Sequence, residues 1–153
     1  MNILMRYLFI IILILLIQCT RAEEERTIEI QGIVIKVEVA DSPGERAKGL
    51  SDRDTLPPDH GVLFVFPDEA RRVFWMYHCN FDIDLAYIDE YGIIREIITM
   101  EKEPFNRPLD SLKKYISNSS KIRFVLETNG GWFDENNIHV GNQIDLHSFY
   151  AIH

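Results

Sequence analysis

The sequence predicts a mainly β fold: a compact single-domain sandwich or barrel of short strands, with one short helix near residues 43–49. Three observations predict it. Short apolar segments recur between clusters of Gly, Pro, Asn and Asp, the pattern of strands joined by turns. No stretch carries the long one-sided apolar stripe of an amphipathic helix. A full helix-start signal stands at Ser42-Pro43-Gly44-Glu45, where Ser42 can cap, Pro43 suits the first helical position and Glu45 completes a capping box. The chain is 46% hydrophobic and 26% charged, enough apolar material for one buried core.

The elements follow in order. Tyr7 to Ile17 is an unbroken apolar run behind Arg6. A helix needs about 20 apolar residues to span a bilayer core of ~30 Å, so this run fits the apolar region of a signal peptide. Residues 1–18 are read as that peptide. Leu16-Ile17-Gln18-Cys19 resembles the lipoprotein processing site at which a cysteine is acylated, with Gln18 departing from the usual small residue. Ordinary cleavage after Ala22 is the alternative. Residues 19–26 then form a polar spacer, and residues 27–153 one β-rich domain.

Thr27 to Ala40 alternates as strands do, with the parity switching at Gly32, so two strands meet there or one strand bulges. Gly49 can end the short helix in the left-handed conformation. Gly61 to Phe66 and Val73 to Tyr77 read as strands. Leu85 to Ile88, the turn Asp89 to Gly92, and Ile93 to Met100 read as a hairpin. Glu101 to Ser120 is the longest expected loop, with a short helix at Leu109 to Tyr115. Lys121 to Thr128 is a strand, Gly130 to Asn136 a turn, and His139 to Phe149 a closing hairpin around Gly141-Asn142.

The segment from Phe74 to Asp89 carries a resemblance. Trp75-Met76, Ile83-Asp84, Ile88-Asp89 and Gly92 are similar in order and spacing to the bacterial and archaeal family called domain of unknown function 192. Glu45 to Leu50 with Arg53 and Leu56, Gly61 to Phe66, and Val125-Leu126-Glu127 with Gly130 and Gly141 match further pieces. The likeness spans residues 34–146. It implies a compact, mostly β fold and no established activity. Tyr77-His78-Cys79 stands where the family commonly has Lys-Asn-Thr, Asp82 replaces a Pro, and Ser51 and Val62 replace methionines.

The candidate site residues are Arg53, Trp75, Met76, His78, Asp84 and Glu127. Asp84 shares a strand face with Ala86 and Ile88, and a carboxylate there needs a cation or backbone donors. Glu127 shares parity with Val125. Arg53 is the candidate partner of either acid, because its fork donates two bonds to a carboxylate. One reading is a structural ion pair that fixes the loop and helix. The other is a pocket with one polar corner under Trp75 and Met76. Asp84 and Glu127 together could serve glycoside hydrolysis if they face each other across a cleft. His78, Asp82 and Asp84 have a loose metal-ligand spacing. Cys79 beside His78 suggests a nucleophile, but neighbours on a strand point to opposite faces. No catalytic residue, metal or cofactor is assigned.

A net charge of −8 argues against a nucleic-acid partner. The leading expectation is a non-catalytic binding or accessory module at the cell envelope. It is held to the membrane by a lipid on Cys19 and engages an unidentified envelope ligand or protein. A carbohydrate hydrolase of the envelope is the alternative.

Overall fold

A computed structural model describes residues 26–152. The apolar run, Cys19 and all but the last residue of the spacer lie outside the described residues. The described chain is mainly β. In order it runs β1 (Arg26–Ile30), β2 (Ile33–Ala40), α1 (Pro43–Lys48), β3 (His60–Ala70), β4 (Val73–Phe74), β5 (Ile83–Ile88) and β6 (Ile94–Met100). A 3-10 turn (Leu109–Ser111) precedes β7 (Tyr115–Ile116), β8 (Ile122–Asn129), α2 (Trp132–Glu135) and a final 3-10 segment (His147–Ile152).

Six strands make one mixed sheet in the order β1-β2-β3-β8-β5-β6, and β4 pairs with β7 in a separate ladder. The parity switch at Gly32 is a turn: Gln31 and Gly32 both take positive φ, and β1 folds back on β2 with Ile30 opposite Ile33. The β2–β3 pair is parallel, and α1 with its following loop makes the crossover. The predicted capping box is present. The Ser42 hydroxyl accepts from the Glu45 N–H, the Glu45 carboxylate accepts from the Ser42 N–H, and Gly49 (φ +46) ends the helix.

Strand alternation sorts the side chains onto two faces. One face carries Ile35, Leu63, Ala86, Phe124 and Leu126. It is covered by α2 and the C-terminal segment through Phe133, Ile138, Leu146 and Phe149. The other carries Val62, Phe64, Leu85, Tyr87 and Val125, covered by Leu50, Leu56, Met76 and Cys79 from loops and Tyr115 from β7.

Three expectations are corrected. The segment after His139 is no hairpin. It makes single bridges to both edges of the sheet, Ile144 with Ile30 of β1 and Gln143 with Ile93 just before β6, and its apolar residues Ile144, Leu146 and Phe149 are buried against the sheet. The strand expected over Val73 to Tyr77 stops at Phe74, and His78 takes φ +52. The helix expected over Leu109 to Tyr115 is a single 3-10 turn followed by β7.

Candidate functional site

Glu127 sits in the most central strand pairing of the sheet, opposite Val62 on β3 and Leu85 on β5. Its parity sends the carboxyl to the loop-covered face, among Phe64, Leu85 and Val125. The residue is 5% exposed, and its Oε2 has no hydrogen-bond partner among the described residues. Burial raises the carboxyl to about 8, against the opposing field of Arg53. At neutral pH it is chiefly a neutral acid, able to donate one hydrogen bond as well as accept.

A cavity of about 360 Å³ opens above it, at the small end of the ~300–1,000 Å³ usual for small-ligand sites. The end of α1 forms one side, with Arg46, Lys48 and Gly49. Gly49 matters locally. A Cβ there would stand 3.0 Å from Phe64 Cζ and 3.4 Å from Glu127 Oε2, and its φ is one that L residues rarely adopt. The aromatic wall is Phe64, Phe66, Phe74 and Trp75, with Phe64 and Phe74 edge-to-face at 5.0 Å. Arg71 and Arg72, at the start of β4, complete the mouth. Arg46 and Arg72 both lie over the Phe66 ring, at 5.3 and 3.9 Å. Cys79 lines the interior. Burial, reinforced by the charges of Glu127 and Asp52, pushes its thiol up to about 12, so it is not a thiolate nucleophile at physiological pH.

The structure distributes the predicted residues unevenly. Trp75 lines the cavity and is 37% exposed, with Lys114 Nζ 4.4 Å over its ring. Met76 is plain core, 1% exposed. Arg53 does not take the role expected for it. Its fork grips Glu38, which lies on the same face and in the same cross-strand row as Glu127, with Val62 between them. That bond holds the Glu38 carboxyl below its ordinary value, and the same charge reaches Glu127.

Asp84 stands opposite Thr128, one residue out of step with Glu127, so the two acids project from opposite faces of the sheet. Asp84 Oδ1 accepts from the Thr99 hydroxyl at 2.8 Å and Oδ2 from the Phe133 N–H at 3.4 Å, in place of the expected Arg53 or loop donors. The shared cleft required by the hydrolase reading is therefore absent, since the sheet itself separates the pair. His78 pairs with Asp52 at 2.9 Å and is stacked between Tyr77 and Phe105 at 4.0 and 4.2 Å, locking the loop. Asp82 accepts from the Lys102 N–H, so His78, Asp82 and Asp84 each serve a different local structure.

Sequence reasoning missed Arg46, Lys48, Arg71 and Arg72 as site residues. A signal existed: in an acidic chain, cations flank Gly49 and directly precede Val73-Phe74-Trp75.

Comparisons with known proteins agree on the fold. No curated protein matches the chain. Among solved structures, a protein from Sinorhizobium meliloti described as a proposed transcription regulator is similar at 26% identity and a TM-score of 0.67. The match covers 79% of this chain and 92% of that one. A protein of unknown function from Novosphingobium aromaticivorans is similar at 21% identity and a TM-score of 0.70, over 84% of this chain and 89% of that one. The model of a family of uncharacterized proteins, domain of unknown function 192, matches residues 26–146. That span holds β1 through β8 and every wall of the cavity, and the chain belongs to this family.

Proposed function

We propose that the domain is a non-catalytic binding module that takes a small ligand in the cavity beneath Trp75. The observation that carries this is Glu127: a buried carboxyl whose Oε2 lacks a partner and faces an open cavity. An unsatisfied buried polar group costs about 1–3 kcal/mol. A ligand that supplies the missing hydrogen bond recovers that loss. Two features support binding over catalysis. The cavity holds one carboxyl rather than a facing pair, and the Cys79 thiol is held protonated. Phenol is a suitable first probe, being a neutral ring with one hydroxyl. It is expected to shift the Trp75 indole signal in an NMR titration and to leave Trp132, buried on the opposite face, unmoved. No response at Trp75 to any ring probe would overturn the reading.

The place of action is the envelope surface. The apolar run before Cys19 supports export, and the Leu16 to Cys19 pattern supports a lipid anchor. Metabolic labelling with a fatty-acid analogue is expected to mark the wild type and not Cys19→Ser. An unlabelled protein that begins at Glu23 would replace the anchor with ordinary cleavage.

A further inference from the structure

We infer that the cavity selects a planar aromatic ring bearing an anionic group at its outer end and a hydroxyl at its inner end. This rests on the reading of the cavity as a ligand site and names the class of ligand.

Lys48 and Arg71 are exposed at the mouth, while Arg46 and Arg72 are half-buried behind them. Among the described residues Glu127 is the single acid in the lining, so the opening is cationic in a chain of net charge −8. That local reversal of sign favours an anion at the mouth and disfavours a cation. Arg46 and Arg72 already serve backbone carbonyls: Arg46 donates to Asp41 and Val65, and Arg72 to Ile122 and Asp68. Arg71 makes one longer bond of this kind, to the Ser117 carbonyl at 3.4 Å, so Lys48 and Arg71 are the mouth cations better placed to meet a ligand.

The walls favour a ring over a flexible chain. Phe64 and Phe74 present an edge-to-face pair, and a third ring adds to such a cluster at low cost in conformational entropy. On the floor, Glu127 Oε2 needs one partner. A hydroxyl serves it in either protonation state, accepting from the neutral acid or donating to the carboxylate. An inner ammonium group would have to enter past the four mouth cations.

The test uses 4-hydroxyphenylacetate, tyramine, phenylacetate and phenol on the purified domain, with the Trp75 indole as reporter and Trp132 as internal control. 4-Hydroxyphenylacetate is expected to bind about tenfold tighter than phenol or tyramine, a difference near 1.4 kcal/mol. It is also expected to bind tighter than phenylacetate, and Glu127→Leu, which removes the hydrogen-bonding group, is expected to abolish that second difference. Arg71→Glu, at an exposed position, is expected to remove the tenfold advantage of the anion. Lys102→Glu, at an exposed position after β6 and outside the cavity lining, serves as the control for a change in overall charge and is expected to preserve it. If phenol binds but the acetate gains nothing, or tyramine binds as tightly, the ligand class is wrong while the site stands. If none of the four moves Trp75, the site itself fails.

Discussion

Glu127 places a titratable group where the fold would be better served by leucine, and this has a measurable cost. Its proton is held to about 8 in the folded domain, against an ordinary value of 4.5. Between those values the native state keeps a proton that the unfolded chain has released. The contribution of Glu127 to stability is therefore fully present below 4.5 and is lost as pH rises to and through 8, by up to about 1.4 kcal/mol per pH unit. Glu127→Gln is expected to flatten this slope and to raise the thermal midpoint at pH 8 by several degrees; calorimetry of both proteins from pH 5 to 9 reads it. A variant with the wild-type slope would show that Glu127 is not the titrating group. Asp84 behaves differently, because its carboxylate is already satisfied. Asp84→Ala strands the Thr99 hydroxyl and the Phe133 N–H in the opposite core and is expected to destabilise by about 1–3 kcal/mol. Denaturant melts decide it, and an unchanged midpoint would mean that water replaces the carboxylate. Strand parity already told each acid's neighbours: Ala86 and Ile88 for Asp84, Val125 for Glu127. It could not tell that the faces were opposite, because relative parity between strands depends on the ladder register. Arg53 was misread for the same reason, since Glu38 becomes its partner only when β2 lies beside β3.

At the scale of elements, local chemistry decided what was legible. Alternation located the strands, and the capping box located α1 to within a residue. The β5–β6 hairpin was readable because Asp89 organises its own turn. Its Oδ1 accepts from the N–H groups of Tyr91 and Ile93, and Arg95 holds the other oxygen at 2.7 Å. The C-terminal segment was not readable, because its partners are remote. Ile144 donates to the Gly92 carbonyl and Gly141 to Ile94, so it docks on a hairpin some fifty residues earlier. Gly92 is the contact that permits this: a Cβ there would lie 2.1 Å from the Ile144 carbonyl oxygen, at φ +77. Gly92→Ala is expected to force the segment off the hairpin and to cost at least about 2 kcal/mol. Its signature would be faster hydrogen exchange at Ile144 and Gly141 than in the wild type. Retained protection at both amides would show that the backbone yields there without undocking.

The whole molecule depends on a strand that arrives late in the sequence. β8 is inserted between β3 and β5, and without it β1-β2-β3 and β5-β6 share no strand ladder and are linked only by the single bridges of the C-terminal segment. A chain ending at Ser120 is expected to lack cooperative thermal unfolding and dispersed amide signals; a folded product would mean that β3 and β5 can pair directly. The cavity inherits this dependence, since its floor comes from β8 while its mouth comes from α1 and the start of β4. No local pattern could announce such an assembly. The placement of Glu127 also bears on how the chain avoids the wrong sheet. Slipping β8 by one residue against its neighbours would swap its faces, driving the Glu127 carboxyl into the dry layer beside Leu63 and Ala86 and turning Leu126 toward the cavity. Asp84 on β5 enforces the complementary rule, because a slip there would carry it away from Thr99 and Phe133. The two acids, on opposite sides of one ladder, thus act as a lock and its counter-lock on strand alignment, and a protein stripped of both would gain apolar surface while losing its means of telling one register from the next.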